Sequence, residues 1–184
     1  MFKELLVSIG KALNTANIPY MVIGGQAVLA YGEPRLTKDI DITVGLDASG
    51  YNDVLNICKK IELKPLPKKI EKFVRETNVL PAVDSKTKIR VDFIFSYTPY
   101  EMEALSRAVP IKINKNKVYF ASAEDVILHK LFAGRERDFD DIKGIIIHHK
   151  KKLNLIYLNK WVKQFSTLPE KDYIVKEFKK LIRK

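Results

Sequence analysis

The sequence has few of the residues that mark secreted or membrane proteins. Among 184 residues there is a single cysteine, so no internal disulfide can form, which is typical of a reducing compartment. No apolar run approaches the ~20 residues of a membrane span. The first 20 residues have the apolar spacing of an amphipathic helix and lack the cleavage site of a signal peptide. We therefore expect a cytoplasmic protein that makes no membrane contact.

The residues needed for several common catalytic chemistries are also missing. The three histidines, His129, His148 and His149, have no acid or cysteine at a metal-ligand spacing. There is no lysine-containing phosphate loop, and no order of Ser, His and Asp that indicates acyl transfer. These absences leave carboxylate chemistry as the main candidate.

Acidic residues are scarce at one end of the chain. The whole sequence carries 33 Lys and Arg against 22 Asp and Glu, but residues 150–184 hold eleven of the cations and only three of the acids. That end has a net charge of +8, and the remaining residues have only +3. A basic end predicts an anionic partner such as RNA. The alternative is the solvated, lysine-rich surface of a thermophile protein.

The order of predicted elements indicates an α+β protein. Short strands predicted at residues 19–23, 39–44, 79–83, 88–96, 110–113 and 118–121 alternate with helices, and from residue 122 onward only helices are predicted. Residues 69–75 fit either a helix or a strand. We expect a mixed sheet with flanking helices over residues 1–121 and a C-terminal helical region, 122–184, packed as one unit with it. Antiparallel hairpins argue against a doubly wound parallel sheet.

The most informative segment is residues 21–44. An apolar run ends at Gly24-Gly25, and a short helix follows. Backbone amides at such a helix start favour phosphate. Asp39 and Asp41 then occupy alternate positions of a strand and so point to the same face. A phosphate seat beside paired carboxylates is typical of a site for a nucleotide and its divalent metal.

A third acid, Asp92, lies in another strand of strong β propensity. Arg90 and Asp92 share one face of it, and Val91 and Phe93 lie on the other. Alone, Asp92 is best explained as a solvent-facing acid paired with Arg90 or a lysine. Beside the other two carboxylates, it predicts a metal ligand, because two Mg²⁺ ions need several hard oxygen ligands from adjacent strands.

A charged cluster follows at the helical end. Lys130 falls in a mostly apolar helix and could direct its ammonium toward phosphate, or extend it to solvent at the helix end. Arg135, Asp138 and Asp141 lie at the junction with the next helix. Acids at a helix start offset its dipole, and arginines can pair with them, so a structural role is also open.

These segments together resemble AbiEii/AbiGii-type nucleotidyltransferases of the polymerase-beta-like superfamily. The resemblance covers about residues 18–145. It is carried by Gly24-Gly25, the segment RLTKDID ending at Asp41, Arg90-Val91-Asp92, and the spaced charges from Lys130 to Asp141.

The resemblance implies a role for each matching residue. Gly24 and Gly25 would bind triphosphate through their amides, with Lys130 on phosphate and with Arg35 and Thr37 at the edge of the nucleotide site. Asp39, Asp41 and Asp92 would hold Mg²⁺ (or Mn²⁺), and Asp92 would also deprotonate the acceptor. Arg135, Asp138 and Asp141 would support the site. Related transferases often have Ser at the position of Gly25, so phosphate binding here would depend on the backbone.

We therefore expect a metal-dependent nucleotidyltransferase that moves an NMP from an NTP to a hydroxyl acceptor. The acceptor is RNA, tRNA, a small molecule or a protein, and the resemblance implies a toxin with an antitoxin partner. Two alternatives stay open. One is a degenerate nucleotide- or RNA-binding module, to which Gly25 and Gln26 point. The other is a metal-dependent phosphodiesterase, which explains the acids but not the diglycine.

Overall fold

A seven-stranded mixed sheet is the central element of the computed structural model, which describes residues 1–33 and 36–183. The strands are β1 Tyr20–Ile23, β2 Asp39–Val44, β3 Leu63–Pro65, β4 Val79–Asp84, β5 Arg90–Phe95, β6 Val109–Ile113 and β7 Asn116–Phe120. The helices within these residues are α1 Phe2–Thr15, α2 Gly24–Tyr31, α3 Tyr51–Lys60, α4 Ile70–Thr77, α5 Pro99–Ser106, α6 Ala123–Ala133, α7 Glu136–His149, α8 Leu155–Phe165 and α9 Tyr173–Arg183. The expected fold class is confirmed.

The strand order is β3-β4-β5-β2-β1-β7-β6. The hairpins β4–β5 and β6–β7 are antiparallel, as their turn sequences predicted. Two pairs are parallel, β2 with β5 and β1 with β7. The sheet is therefore mixed, and strands far apart in sequence, β2 and β5, lie side by side at its centre.

Alternation along β2 and β5 separates an apolar face from a polar one. Ile40 lies opposite Val91 and Ile42 lies opposite Phe93, and Leu80 of β4 continues the second row. All five side chains are fully buried. Burying each one stabilises the fold by roughly 1.5–3 kcal/mol relative to leaving it in water. This apolar face fixes the register, because a slip of one residue would turn the buried side chains to the other face.

Two elements were not fully predicted from the pattern of residues. The segment 69–75, for which a helix and a strand both stayed open, is helical from Ile70 within α4, and the C-cap Asn78 that follows α4 has the left-handed conformation. The three-residue strand β3 pairs with β4 at the sheet edge. Strands this short carry no readable alternation, and Pro65 in β3 argues against a strand except at an edge, where it is found.

The described chain forms two compact units. The first comprises residues 1–26 and 36–121 and contains the sheet. The second comprises residues 27–35 and 122–184, so the later part of α2 groups with the C-terminal helices. The helical unit therefore contains the residues from 122 onward and, in addition, the later part of α2, which comes before residue 121 in the sequence.

The C-terminal helices have a core of their own. Trp161 and Phe165 of α8 and Phe178 of α9 are buried. The Tyr157 hydroxyl of α8 donates a hydrogen bond of 2.6 Å to the buried carboxylate of Asp125 in α6. The Tyr173 hydroxyl donates to the Leu131 carbonyl, 3.0 Å away, at the last turn of α6. Helices α8 and α9 are thus integral to this unit.

None of the helices in the described ranges has the length and apolar character required to cross a membrane.

Candidate functional site

Three carboxylates and one guanidinium share one face of the two central strands. The parallel register places Asp39 opposite Arg90 and Asp41 opposite Asp92. Residues paired across neighbouring strands point to the same face, and the apolar residues between them are buried on the other face. The three acids are half-buried. The strands therefore present a row of hard oxygen donors beside a single arginine.

Gly24 makes room for one of these acids. Strand β1 ends at Ile23, which pairs with Asp41, and the next residue, Gly24, has φ +63°. A Cβ built on Gly24 would overlap Oδ2 of Asp41 and lie 2.9 Å from its Cγ. Both the left-handed backbone and the close approach require glycine here. The first glycine and the acid are thus structurally linked, because the turn into α2 leaves the space that the Asp41 carboxylate occupies.

Asp39 is oriented by its own neighbour. The Thr37 hydroxyl donates a hydrogen bond to Asp39 Oδ1 at 3.1 Å. Thr37 was expected at the edge of a nucleotide site, and that role stays a prediction beside its observed contact with the Asp39 carboxylate. Arg35, the other residue expected at that edge, lies outside the described residues.

Asp92 is held by Arg90. The Arg90 Nε lies 2.9 Å from Asp92 Oδ1 and 3.1 Å from Oδ2. This hydrogen bond raises the pKa of Arg90, and the negative charges of Asp92, Asp39 and Asp41 raise it further. The pairing expected for an isolated, solvent-facing Asp92 is therefore present, and it occurs beside the other two acids. Arg90 is the counter-ion of Asp92, and it also lies in the electrostatic field of Asp39 and Asp41.

The donor set suits a divalent cation, but the side chains are not gathered around one. Within the described residues, no three acidic, histidine or cysteine side chains are placed to hold a metal ion. The paired backbone positions of Asp41 and Asp92 already bring these acids side by side. Asp92 is engaged by Arg90 in an ion pair whose arginine side chain is 55% exposed. The residues fit Mg²⁺ in chemistry, because all three are carboxylates.

The second glycine and Gln26 start helix α2. Gly25 and Gln26 are its second and third residues, and the Gln26 side chain is buried. The first N–H groups of a helix have no partner within it and carry the positive end of its dipole. They can accept an anion without any side-chain hydroxyl at Gly25.

Gly24→Ala tests the link between the turn and the acid. An alanine in the left-handed region costs about 1–2 kcal/mol, and its Cβ must displace the Asp41 carboxylate. We expect a lower melting temperature and weaker Mn²⁺ binding by calorimetry. The control is Gly50→Ala, where φ is −79° and the nearest atom is Leu46 Cβ at 3.2 Å. Unchanged Mn²⁺ affinity in Gly24→Ala would contradict the seating role.

A second charged cluster lies entirely in the helical unit. Lys130 Nζ lies 2.7 Å from Asp138 Oδ1 and 2.8 Å from Asp141 Oδ2. Arg135 Nε donates to Asp138 Oδ2 at 2.8 Å. Lys130 is 5% exposed and Asp138 is fully buried. The Lys130 ammonium is thus engaged by two carboxylates that join α6 to α7, and a contact with phosphate stays a prediction that requires these pairs to open.

The cluster stabilises the helix junction only while Asp138 is ionised. Burial alone raises the pKa of Asp138, but hydrogen bonds from Arg135 and Lys130 outweigh burial and lower it. A carboxyl whose pKa is lower in the folded state stabilises the fold above its unfolded pKa of ~3.9. That stabilisation is lost as the pH falls through the folded-state value.

Asp138→Asn should therefore destabilise the protein by roughly 3–5 kcal/mol at pH 7, because it leaves Lys130 with an incomplete set of buried partners. The difference from wild type should shrink below about pH 4. Urea unfolding at several pH values measures both effects. The control is Asp140→Asn, whose exposed pair with Lys143 should contribute less than ~1 kcal/mol. A pH-independent difference, or equal losses in the two variants, would contradict the buried-pair account.

The family is established by comparison over nearly the full length. Residues 2–183 match the family described as "Nucleotidyltransferase of unknown function (DUF6036)". The chain belongs to this family. The general part of the resemblance, a nucleotidyltransferase, is confirmed, and the assignment to the AbiEii/AbiGii type stays a prediction. No protein with a curated description matches the sequence.

Several solved structures share the fold, among them that of a nucleotidyltransferase-like protein. An antigenic nucleotidyltransferase-like protein from Paracoccidioides brasiliensis has a TM-score of 0.59 at 16% identity, over 95% of this chain and 92% of that one. ANT(2″)-Ia in complex with adenylyl-2″-tobramycin has a TM-score of 0.61 at 14% identity, over 89% and 98%. JHP933 from Helicobacter pylori has a TM-score of 0.50 at 24% identity, over 94% and 77%. The fold of this DUF6036 chain is thus the polymerase-beta-like one.

Two features of the candidate site could not be predicted from the sequence. The contact between Gly24 and Asp41 depends on the β1–β2 pairing, and the placement of Arg90 opposite Asp39 depends on the β2–β5 register. Neither register is visible in residue spacing within one strand. The shared polar face of Arg90 and Asp92 was the available signal, and it left pairing of Asp92 with Arg90 or a lysine as the alternative to a metal ligand.

Proposed function

We propose that the protein transfers an NMP from an NTP to an acceptor hydroxyl with the help of divalent metal. The observation that supports this most is the register of β2 and β5, which sets Asp39, Asp41 and Asp92 in one row on a nucleotidyltransferase fold. In the reaction, the hydroxyl oxygen bonds to the α-phosphorus, the bond to the bridging oxygen breaks, and pyrophosphate leaves.

Asp39 and Asp41 would hold Mg²⁺ or Mn²⁺, with Asp92 joining them after it leaves Arg90. The metal, when bound, neutralises phosphate charge and orients the reacting oxygens. Thr37 keeps Asp39 oriented, and Gly24 leaves the space that Asp41 occupies. Asp92, once released from Arg90, would also take the proton of the acceptor hydroxyl.

The start of α2 would bind the triphosphate. The N–H groups of its first residues, Gly24, Gly25 and Gln26, follow directly after the strand that pairs with Asp41. Backbone amides and the helix dipole act on phosphate without a serine hydroxyl. Glycine in place of serine at position 25 is therefore compatible with substrate binding, and the affinity for triphosphate should be lower than in a site that has the serine hydroxyl.

The acceptor belongs to one of the classes that the resemblance implies: RNA or tRNA, a small molecule, or a protein. In the complex of ANT(2″)-Ia, the bound compound is adenylyl-2″-tobramycin, which illustrates a small-molecule acceptor on this fold. A toxin role with an antitoxin partner is the finer proposal drawn from the AbiEii/AbiGii likeness. Incubation with each labelled NTP, Mg²⁺ and total RNA, followed by location of the label, distinguishes these acceptors.

A catalytically degenerate binding module is the second candidate. The ion pair between Arg90 and Asp92 favours it, because an acid neutralised by arginine neither binds metal nor takes a proton. In a module of this kind, Arg90 stays on Asp92 when nucleotide binds. Metal affinity and turnover separate the two candidates.

Two variants of the row that change the charge in opposite directions test the metal site. Asp41→Asn removes a ligand and a negative charge, and it should abolish Mn²⁺ binding. Arg90→Gln removes a positive charge and the competitor for Asp92, so Mn²⁺ affinity should rise by at least ~10-fold, given the strength of charge interactions over a few ångströms. Titration followed by electron paramagnetic resonance measures free Mn²⁺. Weaker binding in Arg90→Gln would show that Arg90 supports the metal site and does not compete with it.

Asp92→Asn separates an enzyme from a binding module. For an enzyme, NTP affinity should stay near the wild-type value, while pyrophosphate release falls by at least ~100-fold, the lower range for loss of a general base. The control is Asp53→Asn, an exposed acid on α3. Calorimetry and pyrophosphate release are measured on the same preparations. If wild type binds NTP but releases no pyrophosphate with any acceptor pool, the binding module is favoured.

A further inference from the structure

We propose that the outer face of α9 is a binding surface for the phosphate backbone of single-stranded RNA. This inference goes further than the proposed function by naming RNA as the acceptor class, and to that extent it rests on the proposed transfer reaction. Binding itself requires no catalysis and is tested separately.

Helix α9 has two stripes of opposite character. Ile174, Phe178 and Leu181, spaced at i, i+4 and i+7, are buried in the helical unit. The other stripe is basic and exposed, with Lys176, Lys179, Lys180 and Arg183 at i, i+3, i+4 and i+7. Residues with this spacing lie along one face of a helix. The packing of the apolar stripe therefore fixes the basic stripe outward.

Most of the charge on this stripe is not neutralised. Lys180 pairs with Glu177, the only acid within α9. Lys176, Lys179 and Arg183 form no ion pair with any residue that the structure describes. Like-charged neighbours on one helix face repel by a few tenths of a kcal/mol per pair. A bound anion would reduce this repulsion between the cations, which is present in the free protein.

The length of the stripe suits a polynucleotide. Seven residues of α-helix span about 10 Å at 1.5 Å per residue. A single strand of RNA carries one negative phosphate per nucleotide, so a stripe of several cations can contact successive phosphates. A hydrogen bond also fixes the start of α9: just before the helix begins, Lys171 Nζ donates to the Phe132 carbonyl at 2.6 Å.

The surface lacks what a membrane or a protein partner would use. Membrane-surface helices insert exposed apolar side chains, and protein interfaces have an apolar or aromatic centre. None of the large apolar side chains of α9 is exposed among the described residues, because its apolar stripe is buried. The most exposed isoleucines of this unit, Ile147 and Ile156, lie on α7 and α8. Charge without apolar anchors favours a phosphate backbone.

The variant that tests the surface is Lys176→Gln/Lys179→Gln/Arg183→Gln in the full-length protein. Truncation of the helix is avoided because it would expose the buried Phe178 and Leu181. The matched control is Lys59→Gln/Lys60→Gln/Lys64→Gln, which removes three exposed cations from the sheet-containing unit and changes the net charge equally. Both variants should melt near the wild-type temperature.

The probe is a fluorescein-labelled, unstructured 20-nucleotide RNA, measured by anisotropy at several salt concentrations without NTP or metal. The α9 variant should bind at least ~10-fold more weakly at low salt, and the slope of log K against log[salt] should fall by about 2, as expected for three lost contacts at ~0.7 each on a single strand. The control should bind as wild type does. Equal weakening in both variants would show general basicity and overturn the proposal.

Three further outcomes test the proposal. Vesicles of phosphatidylserine and phosphatidylcholine should bind no more tightly than expected from charge alone; if they bind the α9 face more tightly than RNA does, the surface is a membrane surface and the inference is wrong. If wild type fails to bind RNA yet shows Asp41-dependent pyrophosphate release with another acceptor, the RNA surface is overturned while the transfer function stands. RNA binding through α9 without any such release leaves the surface correct and the transfer function wrong.

Discussion

The parallel register of β2 and β5 is the constraint on which the site depends. It is fixed by the opposite, apolar face, where Ile40 and Ile42 lie against Val91 and Phe93 and a shift of one residue would expose them. The same register sets Asp41 beside Asp92. The free energy that specifies the placement of the acids therefore comes from burial of the core, and the acids themselves contribute little to it. Packing and chemistry use alternate residues of the same two strands.

Collecting three carboxylates on one face creates a charge that the protein must balance. Arg90 supplies part of the balancing charge in this structure, with its guanidinium on Asp92, and the charges of Asp39 and Asp41 also raise its pKa. A divalent cation would meet the same need with more charge at a shorter distance. Arginine and metal are thus alternative counter-ions for Asp92. In the helical unit the balance is different, since Lys130 is buried and pairs with two acids, Asp138 and Asp141.

The sequence predicted most of what alternates within a single strand or helix. The hairpins, the long C-terminal helices and the polar face of Arg90 and Asp92 all follow from local spacing, and the structure confirms these elements. What could not be predicted depends on pairing between distant segments: the left-handed turn at Gly24 that seats Asp41, and the short strand β3. The partners of Lys130 could not be predicted either. The spacing of residues within α6 is equally compatible with a lysine exposed to solvent and with one directed toward phosphate. The observed partner, Asp138, lies on α7.

The most direct measurement is a crystal structure with Mn²⁺ and a non-hydrolysable NTP analogue, with the metal located by its anomalous scattering. The account predicts Mn²⁺ between the carboxylates of Asp39, Asp41 and Asp92, triphosphate at the start of α2, and Arg90 released from Asp92. Metal and nucleotide bound elsewhere, or an Arg90–Asp92 pair that stays intact in the presence of both, would contradict it.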